Sequence, residues 1–545
     1  MKFWDEIGWR IGALPVRRVI WTLVLIFSVW VILDVLVFKF SSGLTRSSYD
    51  AMVRKRVFVA AVDPRIVIID VDEASLARMG KEFGRWPWSR DTLATVLEHV
   101  ERQQPAAVVW DILFSDLDRL SPGGDAAFNQ AVGRSGHSHF SVVRLPQAND
   151  AASQLTRAAL PGLWAGHSLA SDTPVSDTHA PTVALIAPAL PAVAASRLGF
   201  NNGYVDSDGV LRRYRYKEVL QDGSVIQSLP MSVASAVNAT AYGDLLNRRR
   251  SALEPRDELI AWRERPNAYR HVSFADVFAQ AEGARADAEV PGFSGKVVII
   301  GSTAPSLHDI HPTPLSPIQA GVDSLATAID NALNQRYLAE LPRWLQAGLA
   351  VALCIGLALW VQFKSAASLE PALFPMPLAL MTISYVSLNG SPVFLDLHLA
   401  AGLALVFLAV LRYWSAMRRN YWCSPPPRTR QPLAIWSWWR ADAWLEDSLD
   451  RLIDTVERYA PACRVVVCGT SASTLRWPEL ARFATLVGPQ DALHDARKQL
   501  QTHLRRIAQQ RGEPVQLDSY SNREQLASIV LANWVKLERI DQVND

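Results

Sequence analysis

The hydrophobic pattern divides the chain into apolar blocks and two long segments of mixed character. Four stretches approach the length of about 20 apolar residues that a helix needs to cross a bilayer: Val19–Phe38, Trp344–Phe363, Pro371–Leu388 and Pro392–Leu411. The only charge in the first, Asp34, lies near its end, where a carboxylate costs less than at the bilayer centre. A basic lead (Lys2, Arg10, Arg17, Arg18) precedes it. Its apolar run outlasts a signal-peptide core, and it continues into KFSSGLTRSSYD with no cleavage site, so it reads as an anchor. The third stretch is short and carries Pro375 and Pro377, which leaves a buried hairpin as the competing reading.

Between the first two blocks, residues 44–342 alternate strand and helix signals. LTRSSYDAMVRKRVF predicts a short helix after the first span. The continuous apolar runs Arg65–Val71, Ala106–Phe114 and Lys296–Ile300 predict buried parallel strands, with HFSVV near Ser141 another. Ser89 is placed to cap a helix running to about Arg102, with Asp91 in its first turn. Such alternation predicts a largely parallel sheet covered on both faces. Residues 146–185, rich in Ala, Ser, Thr and Pro, read as a surface insertion.

Beyond the last block, residues 412–430 form a basic and aromatic collar, RYWSAMRRNYW, and a proline-stiffened linker. Residues 431–545 alternate again: an amphipathic helix from Ala441 to Tyr459 with Leu445, Leu449, Leu452, Ile453 and Val456 on one face, strands CRVVVCG and FATLVG, a helix from Pro489 to Gln510, PVQLDSY, and a helix that Asn522 caps, reaching about Ile540. The fold class expected is a membrane protein with four transmembrane helices, an α/β domain of largely parallel sheet on one side and a small α/β or α+β domain on the other.

Charge supplies orientation. Arg17 and Arg18, Lys364, and Arg412, Arg418 and Arg419 flank the spans, whereas the NGS turn at Asn389–Ser391 has no basic residue. The positive-inside rule then places both termini (residues 1–18 at the amino end) in the cytoplasm and residues 44–342 outside it. With 55 basic and 53 acidic residues there is no global field for nucleic acid. All four cysteines (Cys354, Cys423, Cys463, Cys468) fall late, so the outer segment relies on its own core, and no C-x-x-C pair suggests zinc.

Acidic residues gather where strands end: Asp70 and Asp72 after the first, Asp111, Asp116 and Asp118 after the second, and His308, Asp309 and His311 after the late one. Ligands in open parallel sheets bind beyond the carboxyl ends of the strands. Asp70, Asp72, Asp111, Asp116, Asp309 and His308 are therefore the candidate ligand-binding residues. A divalent cation with oxygen ligands is one alternative. The other is structural: turns, caps and pairing with Arg85, Arg90, Arg212 and Arg213. Asp206 and Asp208 in the DSDG turn read as turn chemistry, with Gly209 at positive φ. Trp86 and Trp88 read as packing residues.

In order, the strings IVIIDVDEASL, GRWPWSR, VVWDILFSDLD, GFNNGYVDSDGVLRRY, FSGKVVIIGSTAPSLHDIHPTPL and GVDSLATAIDN resemble the second-type CHASE domain, CHASE2, from about Tyr49 to Asn331. The three closely spaced spans that follow fit the same family. The resemblance implies an extracytoplasmic sensor domain of a bacterial inner-membrane protein, often dimeric, whose unknown ligand is a small molecule or protein. It carries over no proven contact residue.

The interior segment lacks H-R-D and D-F-G, a diguanylate-cyclase G-G-[DE]-E-F string and a phospho-accepting histidine box. VVVCGTSAS (Val465–Ser473) lacks a phosphate-binding pattern, and His494 and His503 are isolated. The expectation is a transmembrane sensor or adaptor that relays its signal to a cytoplasmic effector protein. A structural component of an envelope or secretion assembly, and an enzyme with an unrecognised site in the inner domain, are the alternatives.

Overall fold

The computed structural model describes residues 11–165, 182–247, 257–263, 268–364, 366–423, 433–439, 446–467, 483–489, 491–492 and 500. The chain forms two compact units: residues 42–342 with 383–396, and residues 1–41, 343–382 and 397–545.

The first unit is entered through helix α1 (Phe40–Arg54) and built around strands β1 (Ile66–Asp70), β2 (Ala107–Trp110), β3 (Ser138–Arg144), β4 (Leu185–Ile186), β5 (Arg197–Phe200), β10 (Arg270–Ser273) and β11 (Val297–Gly301). The order across the sheet is β10-β1-β11-β2-β3, with β5 on the far side of β3. All these pairings are parallel, and only the short β4 runs antiparallel to β3. Every residue of β1, β2 and β11 is buried. Unbroken apolar runs produce this outcome, because a parallel strand covered on both faces has no position to leave polar.

Alternate residues of each strand feed two cores. Val67 and Ile69 point to one face with helices α2 (Glu73–Met79), α3 (Arg90–Glu101), α4 (Pro122–Arg134) and α6 (Phe274–Ala281). Trp110, Phe114, Phe128 and Phe140 mesh there, Trp110 and Phe128 edge to face at 5.2 Å. Ile66 and Ile68 point to the other face, against helices α5 (Leu229–Val237) and α7 (Gly321–Leu333). Between β5 and α6 lie β6 (Arg213–Tyr214), the hairpin β7 (Lys217–Val219) and β8 (Val225–Gln227), and β9 (Glu258–Ile260). After β11 come the pair β12 (Ile310–His311) and β13 (Gln319–Ala320), then β14 (Tyr337–Glu340) and β15 (Val393–Phe394). A second sheet runs in the order β15-β14-β9-β6.

Helix α7 is buried from Val322 to Leu333, polar residues included. Such groups are tolerable only when partnered. Asp330 receives Arg263 at 2.6 Å and Tyr269 Oη at 3.0 Å, and Arg263 also reaches Asn331 at 3.2 Å.

Two local expectations change. Ser89 is at the N-cap of α3, but its hydroxyl donates to Ser121 Oγ (2.7 Å) instead of capping. Residues 146–185 are not wholly superficial: Leu160, Leu163, Trp164, Val183 and Leu185 are buried in the first core. Sparse apolar residues in an Ala-, Ser- and Thr-rich stretch suffice to anchor it, which average composition conceals. Residues 166–181 lie outside the described residues.

Among the described residues four helices, Val16–Phe38, Arg343–Phe363, Ser368–Gly390 and His398–Trp422, are long and apolar enough to cross a membrane. Within the second unit Ile20, Val24 and Val31 pack in one cluster with Phe407 and with Ala350, Cys354, Ala358 and Ala400, whose small side chains allow close approach. Pro375 opens the helix Pro375–Gly390 and Pro377 falls in its first turn, where a missing N–H is harmless, so no hairpin breaks it. Helix His398–Trp422 continues through the aromatic collar. Arg418 then pairs with Asp454 (2.7 Å) and with Glu457 of helix Glu446–Tyr459.

That helix buries Leu452, Ile453 and Val456, the face the periodicity predicts. It accompanies an antiparallel sheet of Leu433–Trp439, Phe483–Pro489 and Arg464–Val467, in that order. The strand Leu433–Trp439 was not expected from sequence, since LAIWSWW follows the proline-rich linker without clear alternation. The turn after Val467, His494, His503, PVQLDSY and the helix from Asn522 lie outside the described residues, as does most of the helix expected from Pro489.

Candidate functional site

The candidate residues separate into two groups at the carboxyl ends of the sheet. Asp70 closes β1. Its carboxylate accepts the Thr303 backbone N–H (2.8 Å) and hydroxyl (2.6 Å), and it meets Nδ1 of His271 at 3.0 Å. Nε2 of His271 meets Asp323 at 3.2 Å. Burial alone would lower the His271 pKa, but hydrogen bonds to Asp323 and Asp70 outweigh it and push it up to about 9. At neutral pH the imidazole is therefore a cation bolted between two carboxylates. Asp72 is the N-cap of α2, accepting the Ser75 N–H at 2.7 Å and the Ser273 hydroxyl at 3.2 Å. These two aspartates tie β1, β10 and β11 together.

Asp116 is exposed and takes the Ser115 hydroxyl at 2.9 Å. Asp118 accepts the N–H groups of Leu120 and Ser121 in a local turn. His308 is exposed at a positive φ of 58°, ending the turn Pro305–Leu307. None of these three is among the described residues that line the cavity at the strand ends.

Asp111 and Asp309 do. They face a cavity of ≈ 320 Å³ bounded by the ends of β2, β3, β5 and β11, the start of α7, the loop before β12 and Trp86. Asp111 directly follows β2 and accepts an amide N–H of Asn201, the residue after β5, at 2.8 Å. Asn201 in turn accepts the Tyr214 hydroxyl at 2.8 Å. Burial and the neighbouring Asp309 push Asp111 up to about 7, against the opposing influence of Asn201 and His311. His311 lies 3.5 Å from Asp309, whose hydrogen bond and charge raise its pKa. Tyr214 is raised well above its ordinary value by burial, so it stays a neutral phenol. A Cβ at Gly321 would lie 2.2 Å from an Asp309 carboxylate oxygen, so any side chain there must displace that carboxylate.

The site is a cavity with two carboxyl groups and apolar walls. Among the described residues no three His, Cys, Asp or Glu side chains group to hold a metal ion. Trp88 is buried against Phe274 (5.4 Å), a packing role, whereas Trp86 meets Trp88 edge-on at 4.9 Å and forms part of the cavity wall.

The sequence reading missed Asn201, Tyr214, His271 and Asp323. Asn201 and Tyr214 belong to the strings that carry the resemblance, but an amide and a phenol announce nothing by spacing. His271 is a lone histidine, without a pattern to mark it.

Beside the cavity, the DSDG turn places Gly209 at φ +80° and aims Asp206 and Asp208 at two successive arginines. Arg212, 2 % exposed, holds Asp206 (2.9 Å), Asp208 (2.8 Å) and Asp50 of α1 (2.7 Å). Arg213 holds Asp206 (2.6 Å) and Glu340 of β14 (2.8 Å).

Comparison with known families matches the CHASE2 domain over residues 22–360, well over half of the chain. No curated protein and no solved structure matches it.

Proposed function

Since this chain belongs to the CHASE2 domain family, whose domain is a sensor module of signal transduction, we propose that it is a bacterial inner-membrane sensor whose extracytoplasmic domain binds a solute and biases a cytoplasmic partner. The four apolar helices span the bilayer in this reading, with both termini inside. Its supports are the basic flanks at Arg17, Arg18, Lys364, Arg412, Arg418 and Arg419. Large apolar side chains on the described helices, Leu25, Ile26, Phe363 and Leu378 among them, are more than half exposed, as lipid contact would require.

One observation carries the sensing role. The segment Leu211–Tyr214 lines the cavity with Leu211 and Tyr214, while the two residues between them grip Asp50 and Glu340. Asp50 comes shortly after the first apolar helix in the chain, and Glu340 shortly before the second. A ligand that repositions this segment changes how α1 and β14 are held. It shifts the equilibrium only by its difference in affinity between the two arrangements.

Topology and sensing are tested together by reporter fusions. A reporter active only outside the cytoplasm should work when inserted near position 250 and fail at the carboxyl terminus. The reverse pattern removes the extracytoplasmic sensor from consideration.

A further inference from the structure

The hydroxyls around the cavity have already committed their protons. Tyr214 donates to Asn201 at 2.8 Å, Ser302 to the Val71 carbonyl at 2.8 Å and Ser141 to the Ile112 carbonyl at 3.2 Å. A hydroxyl has one proton, so each offers a ligand only lone pairs. Asp111 spends one carboxylate oxygen on Asn201, and the other takes no hydrogen bond from the described residues. No Lys or Arg is among the described residues that line the cavity, and its one basic side chain, His311, already faces Asp309. An anion entering here meets two carboxyl groups and hydroxyl lone pairs, against which the second amide N–H of Asn201 and the His311 ring stand as side-chain donors among the described lining residues. A cationic donor meets complementary partners, and Trp86 adds an aromatic face next to apolar walls.

Resting on the reading of this cavity as the ligand site, we propose that the ligand is a small organic cation: an amine whose ammonium group is held by Asp111 and Asp309 and whose apolar body lies against the rest of the cavity. The space suits a compact molecule and excludes a polymer or a folded partner.

The test uses the purified full-length protein in nanodiscs and calorimetric titration with three probes of matched size: benzylamine, benzyl alcohol and benzoate. Benzylamine is expected to bind at least about tenfold more tightly than either of the others, the margin of one charge-assisted hydrogen bond. Asp111→Asn and Asp309→Asn should each weaken it by a similar factor. Should Asp111→Asn fail to fold, Gly321→Ala replaces it, because the added Cβ must displace the Asp309 carboxylate. Equal or tighter binding of benzoate or benzyl alcohol, no binding of benzylamine, or benzylamine binding unchanged in the carboxylate variants overturns the proposal. Gly203→Phe separates this failure from failure of the cavity reading, since its Cβ enters open space beside His311 and the ring fills the cavity. If Gly203→Phe abolishes binding of whichever probe the protein prefers, the cavity stands even where the cation does not. If benzylamine binds Gly203→Phe as it binds the wild type, both readings fall.

Discussion

His271 shows how little a residue's type says about its work. It is three-quarters enclosed and held by Asp70 at 3.0 Å and Asp323 at 3.2 Å, so its pKa in the folded protein is about 9 against an ordinary 6.5. A group whose folded pKa is raised stabilises the fold fully below its unfolded value, and that stabilisation is lost as pH climbs through the folded value. The melting temperature of the full-length protein should therefore fall between about pH 6.5 and 9 by more than that of His271→Gln, and identical pH profiles for the two would contradict the clamp. Asp72 makes a contrasting case. Its carboxylate caps α2 through Ser75 and lies outside the cavity. Asp72→Ala should cost about 1 kcal/mol of stability, the usual loss of an N-cap, and leave probe affinity unchanged in calorimetry.

At the scale of elements, helix α7 depends on a buried ion pair. Its inward placement buries Asp330 completely, and the guanidinium of Arg263, 3 % exposed, is the charge that compensates it. Removing one partner of a buried pair leaves an isolated charge and costs about 3–5 kcal/mol. Arg263→Leu should accordingly lower the denaturation midpoint by that equivalent, while Arg263→Leu combined with Asp330→Leu should recover part of it. No recovery in the double variant would mean that the two residues do not act as a pair. The sheet shows the opposite relation between sequence and structure. IVIID, AVVW and VVIIG were readable as buried strands because an apolar run of that length has few other fates, but their order was not: β11 inserts between β1 and β2 although more than 180 residues of chain separate it from β2. That order brings Ser302 and Asp309 to Asp111.

For the whole molecule, the proposed relay depends on Arg212 and Arg213. Because Arg213 holds Glu340 while Arg212 holds Asp50, Arg213→Met should leave benzylamine affinity within a few-fold of wild type while removing the ligand-induced change in amide exchange of residues 337–340. A change that persists in the variant would dissociate Arg213 from signalling. A ligand can act across the molecule only through contacts that differ between its two arrangements, and this paired grip is the contact that both segments share.

Much of this protein was fixed by sequence alone. Apolar stretches near 20 residues, parallel strands with no polar position and six ordered motifs determine four candidate spans, an α/β sheet and the CHASE2 family, because each is a local or collinear property. The same is true of the carboxylates at the strand ends, although of the five candidate aspartates and His308 only Asp111 and Asp309 reach the cavity. Tertiary structure alone decided that division. Whether a carboxylate at a strand end faces a neighbouring strand, its own helix terminus or an open cavity depends on which strand lies beside it, and that order is set by chain segments hundreds of residues apart.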